Sequence, residues 1–237
     1  MSLLALVLSA AMAHAGDIPL AERRSGYEFM SRETRAMQDD DTTSPALFVL
    51  MEGEALFKDN CAGCHQDMKG VAARYPAIKN GKLVDVEQQI NACRVERQKA
   101  APYAYESKEL LALTTYVGKQ SRGVPIAVAE DAKHLAAGRA LFERRQGQLN
   151  LACSQCHDDN WGKSLAGTPI PQAHPTGYPI YRLEWQGMGS LQRRLRNCMI
   201  GVRAEPYAYG SPEFVELEYY LMWRARGMQL ETPAVRP

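Results

Sequence analysis

Short apolar runs separated by charged residues occur in the same order in both halves of the chain and predict three helical segments in each half. The first segments share a Gly-x-Ala-Leu-Phe core, within EGEALF and AGRALF. The second segments, VDVEQQINACRV and GSLQRRLRNCMI, each contain one cysteine, and the third segments run to an Arg-Gly pair. Ser107 and Ser211 are predicted to cap the starts of the third segments, and Gly123 and Gly227 their ends. The pattern predicts a mostly α-helical protein.

The order of these segments indicates an internal duplication. From Pro102 and Pro206 onward the two tails align without gaps. We therefore predict two fused copies of one domain, residues 16–130 and 131–237. The stretch VPIAVAED is a candidate linker, and Asp131 at its end is suited to cap the next helix.

The N-terminal stretch MSLLALVLSAAMAHAGD resembles a secretory signal peptide with cleavage after Ala15. Residues 1–15 are therefore predicted to be a signal peptide that exports the protein to the periplasm; the alternative is a buried N-terminal helix. No later segment approaches the ~20 apolar residues of a membrane-spanning helix. The chain has 237 residues and a formal net charge of +1, which gives no reason to expect binding to nucleic acid.

Four of the six cysteines lie in two CxxCH motifs, CAGCH and CSQCH. This motif is typical of c-type haem attachment, in which both thiols bind the haem covalently and the histidine binds the iron. A zinc site or a redox dithiol is the alternative, but the further ligand pairs of a zinc site are not seen in the sequence. We predict two covalently attached haem c groups. The residues of the two motifs are Cys61, Cys64, His65, Cys153, Cys156 and His157.

The remaining two cysteines are candidates for the second axial ligand of each iron. Methionine is the usual second ligand, but the methionines do not recur at equivalent positions of the two halves, whereas Cys93 and Cys198 do. We predict His65 with Cys93 at the first iron and His157 with Cys198 at the second. Cysteines that are simply buried are the alternative, and His174 is the main rival ligand for the second iron.

The residues around the two single cysteines differ in charge. Gln89 lies four residues before Cys93, whereas Arg194 lies four residues before Cys198. That spacing places each pair on one face of a helix. Arginine binds oxyanions and lowers the pKa of a neighbouring thiol, so the second site resembles an anion-binding site with a sulfur nucleophile. A solvated basic helix face is the alternative. Three further arginines add positive charge: Arg193, Arg196 and Arg203.

The stretch GYPIYRLEWQGMGSLQRRLRNCMIGVRAEPYAYGSPEFVELEYYLMWRARGM resembles the SoxA family, the di-haem subunits of SoxAX cytochromes, and the likeness covers most of the chain. The resemblance implies two fused class I cytochrome c-like domains and L-cysteine S-thiosulfotransferase activity in sulfur oxidation. It implies that Cys198, modified to a persulfide, is the catalytic ligand of the second haem and that Arg194 binds substrate. The first haem, with Cys93, is implied to lie away from the chemistry.

The resemblance also implies the partners. Thiosulfate is joined oxidatively to a cysteine of the carrier SoxYZ, and the electrons pass to SoxX, a separate mono-haem cytochrome. A non-catalytic di-haem electron carrier is the competing function, and it leaves the contrast between Gln89 and Arg194 unexplained. A di-haem peroxidase would need an iron position open to peroxide, and both irons are predicted to be capped by sulfur.

Overall fold

The computed structural model describes residues 18–237, so the predicted signal peptide 1–15 lies outside the described residues. No helix among the described residues is long and apolar enough to cross a membrane. The described α-helices are α1 (Arg32–Asp39), α2 (Leu47–Asn60), α3 (Val86–Glu96), α4 (Lys108–Lys119), α5 (Ala132–Glu143), α6 (Cys153–His157), α7 (Leu191–Gly201) and α8 (Pro212–Arg224). Short 3-10 helices cover Leu20–Glu22, Gly26–Phe29 and Ala72–Arg74. The strands are β1 (Ala77–Lys79), β2 (Lys82–Val84), β3 (Ser164–Leu165), β4 (Thr168–Pro169), β5 (Ile180–Arg182), β6 (Gly187–Gly189) and β7 (Ala234–Arg236).

The predicted helix starts are confirmed by side-chain caps. The hydroxyl of Ser107 accepts a hydrogen bond from the backbone of Leu110 at the start of α4, and Ser211 does the same for Phe214 in α8. The Asp131 carboxylate caps α5. The predicted glycine caps are wrong in position, because α4 ends at Lys119 and α8 at Arg224. The two glycines lie in the turns that follow, with positive φ angles of 77° and 84°.

The helices of each half cross at a glycine of the repeated Gly-x-Ala-Leu-Phe core. A Cβ atom on Gly53 in α2 would lie 2.1 Å from the carbonyl oxygen of Ala112 in α4. A Cβ atom on Gly138 in α5 would lie 2.2 Å from the carbonyl oxygen of Glu216 in α8. Ala112 and Glu216 occupy equivalent positions of the aligned tails. The duplication predicted from the sequence is therefore present in the packing of the two helix pairs.

We expect Gly138→Ala to lower the free energy of unfolding by about 2 kcal/mol, because the added methyl group overpacks the crossing of α5 and α8. Gly201→Ala in α7 is the matched control, since outside its own stretch of helix no atom of residues 18–237 lies within 4 Å of the added Cβ. The control should stabilise the protein slightly, by up to about 1 kcal/mol, through helix propensity. Urea unfolding of the two haem-loaded variants measures both effects, and equal shifts of the same sign would contradict the packing role of Gly138.

The C-terminal residues complete a small sheet with residues 167–185, the inserted segment that lengthens the second half between its CxxCH motif and Cys198. Strand β5 pairs antiparallel with β6 and parallel with the C-terminal β7. The predicted linker is not an exposed connection, because Ile126 and Val128 are buried in a core cluster that also contains Tyr219 of α8. The division into domains 16–130 and 131–237 stays a prediction.

The two halves contact each other through equivalent parts of their sequences. Tyr105 stacks on Tyr209, its counterpart in the aligned tail, with ring centroids 5.9 Å apart. The fully buried Asp85 caps α3 and accepts hydrogen bonds from the Tyr105 hydroxyl at 3.1 Å and from Gln192 Nε2 of α7 at 2.8 Å. Gln192 also lies 3.4 Å from the carboxylate of Glu218 in α8. A buried polar cluster therefore joins the halves.

Burial raises the pKa values of the carboxyl groups in this cluster. Burial and the charge of Asp85 raise the pKa of Glu218 to about 8, and burial raises the pKa of Asp85 to about 6. Burial and the charges of Asp85 and Glu218 raise the pKa of Glu87 well above its ordinary value. In the unfolded chain these groups ionise near pH 4. Between about pH 4.5 and 8 the unfolded state therefore releases a Glu218 proton that the folded state keeps, and stability falls as the pH rises.

Between pH 5 and pH 8 the free energy of unfolding of wild type should fall by up to about 4 kcal/mol as Glu218 ionises. We expect Glu218→Gln to remove this fall, because an amide has no proton to lose. Urea unfolding of the haem-loaded protein at both pH values measures the difference. Glu143→Gln, which removes an exposed carboxylate at the end of α5, should change neither value. If Glu218→Gln and wild type showed the same pH dependence, Glu218 would be ionised in the folded protein.

Candidate functional site

The first CxxCH motif and Cys93 share one cavity. This cavity has a volume of about 1380 Å³, and its lining includes Cys61, His65, Met68 and Cys93. Cys61 follows directly after the end of α2, while Cys93 lies on α3. Gln89 Nε2 donates a hydrogen bond to the Cys93 sulfur at 3.4 Å, so the i, i+4 spacing does bring the two side chains together.

The histidine of the second CxxCH motif and Cys198 meet in another cavity, of about 900 Å³. Short helix α6 consists of the motif itself and carries Cys153, Cys156 and His157. Both His157 and Cys198 line the cavity, and a hydrogen bond joins their side chains. Each half therefore brings its motif histidine and its single cysteine to one cavity.

The orientation of the His157 ring is set by its second nitrogen. His157 Nδ1 lies 2.7 Å from the carbonyl oxygen of Pro171. Because a carbonyl oxygen can only accept, Nδ1 donates in this bond, and Nε2 is the ring nitrogen left for Cys198 or for a metal ion. A metal-binding histidine is commonly held in this way by a hydrogen bond to its other ring nitrogen.

The electrostatics of Cys198 favour the thiolate. Burial acts to raise the pKa of this thiol. The hydrogen bond from His157 and the charges of Arg194 and Arg182 outweigh burial, and the net pKa is below the ordinary value for cysteine. Burial and the neighbouring Cys198 sulfur raise the pKa of Cys153 to about 12. The second cavity thus stabilises negative charge at one sulfur.

Of the four arginines that the sequence places around Cys198, which are Arg193, Arg194, Arg196 and Arg203, only Arg194 lines the cavity. Arg193 stacks on the Trp185 ring at 4.3 Å, and Arg196 donates a hydrogen bond to the carbonyl oxygen of Tyr207. Arg203 is exposed after the end of α7. The predicted positive field therefore comes from one arginine of this helix, while the others form the solvated or packed face that the alternative interpretation expected.

A second arginine in the cavity is absent from the sequence-based prediction. Arg182, on β5, lines the same cavity as Arg194. Arg182 lies 16 residues before Cys198, on a different element, so no helical spacing in the sequence indicates that the two side chains are close. Arg182 belongs to residues 167–185, a segment rich in proline and glycine between the second motif and Cys198, and this composition favours a loop around the haem edge. The segment does line the cavity, but part of it is sheet, in β4 and β5.

The rival ligand for the second iron lies in the same cavity as Cys198. His174 lines the second cavity, and its Nδ1 lies 3.0 Å from the carbonyl oxygen of Arg24. Burial lowers the pKa of His174 to about 4, so the ring is neutral at physiological pH. The first cavity also has basic residues: Arg97 is exposed, and Arg94 stacks on Tyr103 at 3.6 Å.

The donor set of both cavities fits a covalently attached haem. None of the six cysteines, all of which lie within residues 18–237, forms a disulfide, so the thiols of both motifs are available for thioether bonds. Each cavity contains its motif histidine and the single cysteine of its half, a combination suited to two axial ligands, while Met68 lines the first cavity and His174 the second. The residues that would hold the groups are Cys61, Cys64, His65 and Cys93 in the first half and Cys153, Cys156, His157 and Cys198 in the second.

Comparison with known proteins agrees with this chemistry. A family model described as SoxA/TsdA, cytochrome c domain, matches residues 48–126 and 137–230. The chain belongs to this family. Because cytochromes c attach haem covalently through such motifs, it is a c-type cytochrome. The predicted family and the mostly α, duplicated cytochrome c fold are confirmed.

Curated relatives match this chain over most of its length and over most of their own. The L-cysteine S-thiosulfotransferase subunit SoxA of Pseudaminobacter salicylatoxidans is 36% identical, covering 92% of this chain and 82% of the relative. The protein of the same name from Rhodovulum sulfidophilum is 34% identical, covering 94% and 83%. The crystal structure of SoxXA from P. pantotrophus contains a chain that matches with a TM-score of 0.88 and 31% identity, covering 91% of this chain and 87% of that one. The relatives' name agrees with the activity that the sequence resemblance implied.

Proposed function

We propose that this chain is the SoxA-type subunit of an L-cysteine S-thiosulfotransferase that joins thiosulfate to a cysteine of a SoxYZ-type carrier protein. The observation that carries the proposal is the asymmetry of the two cavities. Both contain a histidine and a cysteine, but Gln89 faces the sulfur in the first and Arg194 faces it in the second. An arginine beside a sulfur suits the recognition of a sulfur-containing oxyanion.

The proposed reaction is a two-electron oxidation. The carrier thiol loses its proton to solvent, and its sulfur forms an S–S bond with the outer sulfur of thiosulfate. The product is a cysteine S-thiosulfonate, and two electrons leave the site. A SoxX-type mono-haem cytochrome c is the proposed partner and electron acceptor, and the periplasm is the proposed location.

Arg194 and Cys198 have different roles in the proposed reaction. Arg194 binds sulfonate oxygens of thiosulfate and directs the outer sulfur toward Cys198. The sulfur of Cys198, or the outer sulfur of its persulfide, forms a transient S–S bond with that atom and gives up two electrons. The carrier thiolate then attacks the sulfur that came from the substrate, and the Cys198 sulfur leaves, as in thiol–disulfide exchange.

Two covalently attached haem c groups are proposed, held in the second half by Cys153, Cys156, His157 and Cys198. When bound, the haem supplies a one-electron acceptor beside the reacting sulfur. His157 is pre-oriented for this by its bond to the Pro171 carbonyl. The first haem, with Cys93, is proposed to lie outside the bond-making step.

The haem-loaded chain, combined with its mono-haem partner cytochrome, tests the proposal. Thiosulfate and a thiol-bearing acceptor should reduce the cytochrome by two electrons for each S-thiosulfonate formed, as measured by absorbance and by mass spectrometry of the acceptor. Haem reduction and reoxidation without any conjugate would instead assign the chain to the competing class of non-catalytic electron carriers.

A further inference from the structure

Two arginines from distant parts of the sequence converge in the second cavity. Arg194 reaches it from α7 and Arg182 from β5, at the end of the inserted segment. Only 8% of Arg182 is exposed. Burial and the positive charge of Arg194 lower the pKa of the Arg182 guanidinium, which places the two cations within electrostatic reach of each other. Two close cations in a buried site repel each other unless an anion lies between them.

The residues that the structure describes neutralise the positive charges of Arg182 and Arg194 only in part. Arg182 Nη2 donates to Glu184 at 2.8 Å, but 62% of the Glu184 side chain is exposed, so water weakens the pair. Arg182 Nε is buried and has no hydrogen-bond partner among the described residues. Within residues 18–237 the Arg194 guanidinium makes no hydrogen bond to any side chain or carbonyl oxygen. Guanidinium donors therefore remain available in the cavity for an anion, which is either a carboxylate of the bound haem or a substrate oxyanion. Sulfate binding by the haem-loaded protein distinguishes the two.

The other cations nearby are already engaged. Arg236 also lines the cavity, but it pairs with Glu231 at 3.1 Å and with Gln38. Arg182 and Arg193 both lie over the Trp185 ring, at 5.2 and 4.3 Å, but Arg193 also lies 3.6 Å from the Glu106 carboxylate and donates to the Met188 carbonyl oxygen. The excess positive charge of the cavity is thus concentrated on Arg182 and Arg194.

We infer that Arg182 is a second substrate-binding residue, which together with Arg194 holds the sulfonate end of a dianion while Glu184 competes for the same guanidinium. The inference rests on the proposed function for the identity of the dianion as thiosulfate. Two guanidinium groups match two negative charges, and each can bond two oxygens. Because Glu184 shares the Arg182 donors, it weakens the hold on the anion and favours the release of product.

Variants of both residues, in the haem-loaded complex with the partner cytochrome, test the inference at fixed low ionic strength. Arg182→Gln should raise the KM for thiosulfate and the Kd for sulfate, a non-reacting dianion, by about tenfold, with a much smaller change in kcat. Glu184→Gln should act in the opposite direction and tighten sulfate binding by about threefold. Arg182→Lys, which keeps the charge and loses the fork, should fall between wild type and Arg182→Gln.

Arg193→Gln is the matched control, because this arginine points away from the cavity, and it should leave both constants unchanged. Unchanged KM and Kd in Arg182→Gln would overturn the inference. So would weaker or unaltered sulfate binding in Glu184→Gln, a test that does not depend on a buried substitution. If wild type bound sulfate through Arg182 but did not conjugate thiosulfate, the anion site would stand and the proposed function would fail.

Discussion

Replacing Cys198 by alanine should abolish thiosulfate conjugation, with turnover falling by at least about 10³-fold, whereas Cys93→Ala should keep turnover within about tenfold of wild type. Both substitutions remove the single cysteine of a haem cavity. Only Cys198 lies beside Arg194 and Arg182, whose charges lower the pKa of its thiol. Steady-state cytochrome c reduction by thiosulfate in the presence of a thiol acceptor measures the difference.

Spectra of the two variants provide the control for this pair. Low-temperature EPR of the oxidised protein should lose one thiolate-ligated haem signal in each variant, a different one in each case. Mass spectrometry of the wild-type peptide that contains Cys198 should show one additional sulfur, as a persulfide requires. Equal loss of turnover in both variants, or a greater loss in Cys93→Ala, would move the chemistry away from the second cavity.

Arg194→Gln should lower kcat/KM for thiosulfate by about 100-fold, because a charge-assisted hydrogen bond to an anion contributes about 3 kcal/mol in a buried site. The Arg194 guanidinium lines the cavity and has no hydrogen-bond partner elsewhere in the part of the chain that the structure describes. Steady-state kinetics with varied thiosulfate give the value.

Gln89→Ala is the matched control for Arg194→Gln, since both residues lie one helical turn before the cysteine of their half. It should leave kcat/KM unchanged while altering the environment of the Cys93 sulfur, to which Gln89 donates a hydrogen bond. The absorbance spectrum of Arg194→Gln should match that of wild type. Undiminished kcat/KM with an intact spectrum would remove Arg194 from substrate binding.

Local patterns predicted much of this fold because each acts over a few residues. The serine caps of α4 and α8 depend only on a hydroxyl and the next turn of helix. The glycines of the repeated core could be seen in the sequence, but their purpose could not. Gly53 and Gly138 each allow the backbone of another helix to approach, and that helix lies about 60 to 80 residues further along the chain.

The exposure of the connecting segments was harder to predict. VPIAVAED has the composition of a linker, yet Ile126 and Val128 are buried against α8. Likewise, nothing near Asp85 or Glu218 in the sequence indicates that the pKa values of these carboxyl groups are raised. Their raised pKa values come from burial where the two halves pack together.

By itself, the sequence determined the covalent chemistry and the duplication. Two CxxCH motifs dictate where thioether bonds can form, and an i, i+4 spacing on a helix is sufficient to place Gln89 beside Cys93 and Arg194 on the Cys198 face. Only the tertiary structure decided which charges reach the second sulfur. Arg193 and Arg196 turn away to an aromatic ring and a carbonyl oxygen, whereas Arg182 is brought in by pairing of β5 with the C-terminal strand. Long-range packing sets those directions, because the strength of a charge depends on its burial and its neighbours rather than on its place in the chain.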